Sequence, residues 1–198
     1  MTEMELREEI RRYEPFNEQE REDKKEILRQ MEQADHILTR DNRNAHITVS
    51  AWIMDRDRKK VLMAYHNLYQ SWAWLGGHAD GDADLKAVAL KEIREESGLE
   101  SVRFVTEDIF SLEILTVDGH EKRGSYVPSH LHLNVTYLLE ADPELPLRIK
   151  EDENSEIGWI GVEEIERRST EKWFVERIYS KLCKKAQSLR NGKLAIPE

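Results

Sequence analysis

Between positions 76 and 99 the chain places two glycines, an acidic loop and a helix-forming run whose end carries Glu92, Glu95 and Glu96. Residues at i, i+3 and i+4 share one helix face, so these three carboxylates cluster. The last turn of a helix carries partial negative charge, and each exposed carboxylate there is disfavoured by about 0.3–1 kcal/mol. A bound divalent cation would offset that cost. Clustered carboxylate oxygens are hard ligands that suit Mg²⁺, with Mn²⁺ as the alternative. Leu85, Val88 and Ala89 lie on the same face, so an apolar stripe turns acidic towards its end. The opposite side carries Ala87, Lys91 and Arg94. The competing reading is a solvated acidic helix end, common in a chain with 40 acidic residues. Asp80, Asp82 and Asp84 alternate like an EF-hand loop, but Leu85 and Lys91 stand where that loop needs Gly and Glu.

The surrounding elements must aim these groups. Asp82 or Asp84 is placed to cap the helix, and Gly98 to end it. Upstream, His46, Thr48, Ser50 and Trp52 alternate with Ile47, Val49, Ala51 and Ile53, a period-two strand with one apolar face. Val61 to Tyr65 reads as a short buried strand. Strands are also expected at 102–104, 110–117, 130–139 and 157–160. A short helix is expected at 162–167, and a final amphipathic helix carries Trp173, Phe174, Ile178 and Leu182. Residues 1–42 are highly charged and read as helical, divided by Pro15. Ile27, Met31, Ala34 and Leu38 form a narrow stripe that packs on one partner, either the main domain or a second copy in a homodimer.

The segment from Gly77 to Leu99 resembles the signature of the Nudix hydrolases. Gly77, Glu92, Ile93, Glu95, Glu96, Gly98 and Leu99 match it in register. Ala83 and Lys91 depart, standing where the family has Glu and Arg as an ion pair that braces the loop. Asp82 or Asp84 with Lys91 is a candidate substitute for that brace. The resemblance implies an α/β fold, an α/β/α sandwich around a mixed β-sheet spanning residues 43–198, with residues 1–42 as an N-terminal helical extension. It implies Glu92 and Glu96 as leading metal ligands, joined by Glu95 and the carbonyl of Gly77. It also implies a general base from Glu95 or, outside the signature, from the acidic group that includes Glu153 and Glu156.

Further residues are candidates for substrate binding. His132 and Asn134 lie on the polar face of one strand, and His66 and His78 flank the glycine turn. Trp72 is a candidate to stack on a base or sugar ring, whereas Trp74 reads as core. For each of these, structural packing is the alternative. Spacing supports no zinc site, because no Cys joins these histidines in a metal-binding pattern.

The net charge of −10 argues against non-specific nucleic-acid or membrane binding. The sequence contains no secretory signal and no apolar run long enough to span a bilayer. Cys183 is the single cysteine, so no internal disulfide forms. The expected location is the cytoplasm. The expected function is Mg²⁺-dependent cleavage of a diphosphate linkage in a nucleoside diphosphate derivative, a small-molecule substrate. The alternatives are a nucleotide- or sugar-binding regulatory module, an isomerase on the same scaffold, and a scaffold role through residues 1–42. The isomerase reading needs a cysteine near the signature, and Cys183 lies far along the chain.

Overall fold

The computed structural model describes residues 1–122 and 124–190. Two helices come first, α1 (Glu3–Arg12) and α2 (Glu18–Gln33). Thr2 and Glu5 form a capping box on α1, and the Asn17 side chain accepts the Glu20 N–H at the start of α2. Pro15 lies in the break between them.

The long strand β1 (Ala45–Met54) is buried along its whole length. It pairs in parallel with β9 (His130–Glu140), from Ala45↔Leu131 to Met54↔Glu140. Its other edge takes β2 (Lys60–His66) near Met54 and β4 (Leu75–His78) near Thr48, both antiparallel. Beyond β2 lie β3 (Ser71–Ala73) and β10 (Asn154–Gly161); beyond β9 lie β5 (Arg103–Phe104) and β6 (Ser111–Val117). One parallel pair among antiparallel ones makes this a mixed sheet. A small hairpin of β7 (His120–Lys122) and β8 (Ser125–Val127) stands apart.

Strand alternation divides the interior into two layers. Ile47, Val49, Ala51 and Ile53 face a core shared with α1, α2 and the helix α3 (Leu85–Ser97). Trp52 and Met54 face a second core. That second core is closed by α4 (Ile165–Arg168) and by a continuous helical stretch made of α5 (Lys172–Phe174), a π-helical turn (Val175–Tyr179) and α6 (Ser180–Arg190). The fold is α/β, with helices on both faces of the sheet. The stripe of the N-terminal segment packs inside the first core, where Ile27, Met31 and Leu38 are buried. No helix among the described residues is long and apolar enough to cross a membrane.

A buried polar network joins α2 and α6 to the sheet. Glu20 of α2 meets Lys181 of α6 at 3.0 Å and Lys185 at 3.3 Å. Lys181 also meets Glu113 of β6 at 2.9 Å. The Ser111 hydroxyl lies between the two carboxylates, with one proton to donate to either, and Thr136 and Asn134 donate to Glu113. The Lys185 ammonium sits over the rings of Tyr13, Phe16 and Phe110, between 4.9 and 5.4 Å from their centroids. Burial works against every charge here. The Lys181 and Lys185 charges still hold the Glu20 carboxyl below its ordinary value, and those of Glu113 and Glu20 hold Lys181 above its own.

Candidate active site

The site begins where β4 ends. Gly76 and Gly77 pair with Ser50 and Val49 of β1, and successive strand residues face opposite sides. Gly77 therefore faces α3, and a Cβ there would lie 2.5 Å from the carboxyl carbon of Glu92. A side chain there would displace the Glu92 carboxylate from its present position. Asp84 caps α3 by accepting the Ala87 N–H, and Gly98 ends it in the left-handed region at φ +74.

Glu92 and Glu96 are driven into the body of the protein, while Glu95 stays part-exposed. Burial raises the Glu92 carboxyl, and the Glu95 charge adds to the rise. Glu96 is pushed up to about 8, first by burial, then by the charges of Glu92 and Glu153, against Lys150 and a hydrogen bond from the Gly76 N–H. Lys150 lies 2.9 Å from Glu153 and 3.8 Å from Glu95. Glu153 is thus part of the same electrostatic group. Its segment is tied down by the Asn67 N–H, which donates to the Glu153 carbonyl at 2.9 Å. Glu156 lies exposed on β10, beyond an irregularity in that strand's register.

The raised Glu96 value has a consequence for stability. The ordinary value of this group is 4.5. Between there and about 8 the folded chain holds a proton that the unfolded chain has released. Metal-free stability therefore falls as pH rises through this window, by roughly 2–4 kcal/mol. Urea denaturation in chelator, at about pH 5 and about pH 8.5, is expected to show that fall. The Glu96→Gln change is expected to flatten it.

The NUDIX domain family model matches residues 44–182. The chain belongs to the Nudix family. Nudix hydrolases act in general on nucleoside diphosphate derivatives. Among solved structures, an Ap4A hydrolase from C. elegans aligns with a TM-score of 0.53 at 17% identity, over 74% of this chain and 98% of that one. A MutT protein from Methanosarcina mazei Go1 aligns with a TM-score of 0.52 at 17% identity, over 74% and 98%. At that identity the likeness is one of fold. No curated protein matches the chain.

In Nudix terms, α3 is the signature helix, and its two departures have a structural outcome. Ala83 is buried in the first core. Lys91 does not rebuild the brace with Asp82 or Asp84, because it reaches Glu92 at 3.5 Å and Glu95 at 3.6 Å instead. Asp82 accepts the Asp84 N–H, and Asp84 serves as the cap. A different link holds the Nudix loop: Arg40 forks both oxygens of Asp80 at 2.8 and 2.7 Å. No signature motif marks Arg40, so sequence reading missed it.

The donor set fits a hard divalent ion. The Glu92 and Glu96 carboxyls are raised by burial and by neighbouring acids, and a cation would relieve both.

The proposed substrate residues fall in different surroundings. Asn134 is 1% exposed. Its oxygen accepts from Thr48 and Ser50, and its amide donates to Glu113 and Thr136, so its hydrogen-bonding capacity is filled from within. Trp72 packs in the second core, edge-on to Tyr65 and beneath Arg168. His66 contacts the Tyr69 ring and accepts the Leu68 N–H. His78 and His132 come together with their ring centroids 4.9 Å apart. Cys183 packs against the second core, and burial pushes its thiol up to about 12.

The histidines come together in a way that linear spacing does not show. Spacing alone gave no zinc site. Yet His46, His130 and His132 bring ring nitrogens within 4.8 Å of one another, the only such trio of His, Cys, Asp or Glu among the described residues. The pairing of β1 with β9, which linear spacing does not reveal, assembles it.

Proposed function

We propose that this Nudix chain hydrolyses a diphosphate linkage in a nucleoside diphosphate derivative, with Mg²⁺ or Mn²⁺ held by Glu92 and Glu96. Glu95 and the Gly77 carbonyl complete the proposed ligand set. One observation carries the reading: a buried and a half-buried carboxylate under a double-glycine turn, both raised by burial and by neighbouring acids. Such a pair is costly alone and stable with a cation between it and an anionic substrate. When bound, the ion neutralises phosphate oxygens and lowers the pKa of a coordinated water.

The chain's own residues supply the rest. Gly76 fixes Glu96 through its N–H, and the bare Gly77 leaves room for Glu92. Glu153 and Glu95 are the candidates to take the proton of the attacking water. Lys150 orients both carboxylates from one side. Glu153 is favoured, because its charge reaches Glu96. A Glu153→Gln change is expected to lower kcat by about 10²–10³-fold, the scale of a lost general base. Glu156→Gln should stay within about twofold of the parent. Steady-state kinetics on both variants decide between them, and the reverse ranking moves the base to Glu156.

The substrate class is tested by a Mg²⁺-dependent screen over dinucleoside polyphosphates, nucleotide sugars, NADH, CoA and oxidised nucleotides. Dinucleoside polyphosphates come first in that screen, since one structural neighbour is an Ap4A hydrolase. Appearance of the two phosphorylated cleavage products from any of these supports the hydrolase. Nucleotide binding without turnover across the whole screen supports the binding module.

A further inference from the structure

Five of the chain's seven histidines gather on the face of β1, β4 and β9 opposite to Gly77 and α3, with His120 at the margin. His46 of β1 is adjacent in register to His132 of β9, and Thr48 of β1 to His78 of β4. The His46 ring lies 4.9 Å from His130, 5.1 Å from His132 and 5.1 Å from His78, centroid to centroid.

Hydrogen bonding fixes the tautomers. The His46 Nδ1 lies 3.0 Å from the Asn42 carbonyl, and the His130 Nδ1 lies 2.9 Å from the Pro128 carbonyl. A carbonyl only accepts, so both Nδ1 atoms carry the proton. In the neutral rings both Nε2 atoms are then bare lone pairs. The His46 residue is 4% exposed, and its Nε2 has no hydrogen-bond partner. The Nε2 atoms of His130 and His132 lie 3.2 Å apart.

A buried orphan lone pair costs roughly 1–3 kcal/mol, so it calls for a partner. Water could satisfy one nitrogen. Three imidazoles converge, and two of them, His46 and His130, have their Nδ1–H groups anchored on backbone carbonyls, as second-shell bonds anchor metal-bound histidine. Ligand nitrogens on a tetrahedral ion with bonds of about 2.0–2.1 Å stand roughly 3.3 Å apart, close to the His130–His132 separation. Imidazole donors select Zn²⁺ and similar first-row ions over Mg²⁺.

We propose that His46, His130 and His132 form a second metal site, for Zn²⁺ or a similar first-row ion, separate from the carboxylate site on α3. Three protein ligands leave a fourth position for water or an anionic ligand, beside the His78 ring. On binding, the ion replaces the proton between His130 and His132, which moves to the Nδ1 of His132. The site ties the starts of β1 and β9 together. It does not rest on the hydrolase reading, and its test does not use turnover.

The test uses the full chain without a polyhistidine tag, stripped with chelator. It is titrated calorimetrically with ZnCl₂ in millimolar MgCl₂. One Zn²⁺ per chain is expected, together with a rise in Tm. The triple change His46→Gln, His130→Gln and His132→Gln should weaken Zn²⁺ binding by at least about 100-fold, and Glu96→Gln should leave it within about threefold. Zn²⁺ binding that survives the histidine changes, or that is lost with Glu96, overturns the site. X-ray absorption on the Zn²⁺-loaded parent gives a reading that needs no variant. Imidazole scattering from three ligands supports the site, and a shell of oxygen alone overturns it.

Discussion

Glu96→Gln is expected to lower turnover by about 10³-fold or more, equivalent to about 4 kcal/mol of lost transition-state stabilisation. The substitution keeps the size of the side chain and an oxygen for the Gly76 N–H. It removes the charge that a divalent ion needs, so Mg²⁺ affinity should fall together with turnover. The direction of the stability change separates this from simple damage. In chelator at about pH 8.5 the variant should be more stable than the parent, because the parent must ionise a buried carboxyl there. A variant that is both inactive and less stable points to a packing role. A variant with parental turnover removes Glu96 from the site altogether. Turnover, Mg²⁺ calorimetry and urea denaturation read these outcomes separately.

Lys181→Met is expected to destabilise the fold by about 3–5 kcal/mol, the cost of breaking a buried ion pair by removing one partner. Glu113 then keeps its bonds to Ser111, Asn134 and Thr136 but loses its cation. Glu20 keeps Lys185 as its one cation, beside its bonds from Tyr13, Ser111 and the Phe16 N–H. Against a total stability of about 5–15 kcal/mol this is a large share. Pairing Lys181→Met with Glu113→Gln should recover at least about 1 kcal/mol, because the uncompensated charge is gone. Urea midpoints of the parent, the two single variants and the double variant give that coupling directly. Additive losses would show that the two groups do not interact.

The signature helix and its acids were legible because local rules govern them. Helical spacing puts Glu92, Glu95 and Glu96 on one side, and Gly98 marks the end of the helix. The strand alternation of β1 and β9 was equally legible, and so was the helical character of residues 1–42. The outcome of the Ala83 and Lys91 departures was not, because the Arg40 link comes from a loop 40 residues away. Asn134 looked like pocket lining because it is polar on a strand. Only the pairing with β1 and β6 shows that its neighbours use all of its bonding capacity. The buried ion network did leave a trace. Glu20 shares a helix face with Ile27 and Met31, and Lys181 and Lys185 adjoin the stripe of Ile178, Leu182 and Ala186. Charges beside an apolar stripe read as surface residues until their partners are known.

The clasp between α2 and α6 also sets an order of assembly. Glu20 and Lys185 are 165 residues apart in the chain. Contacts of such separation form late, because a long loop must close before they contribute. During synthesis α2 is made early, yet its acid stays without a cation from α6 until that helix has been made. Interactions absent from the folding transition state act mainly on the rate of unfolding. The network thus works as a latch on the finished protein, and contributes little to the speed with which the sheet is built.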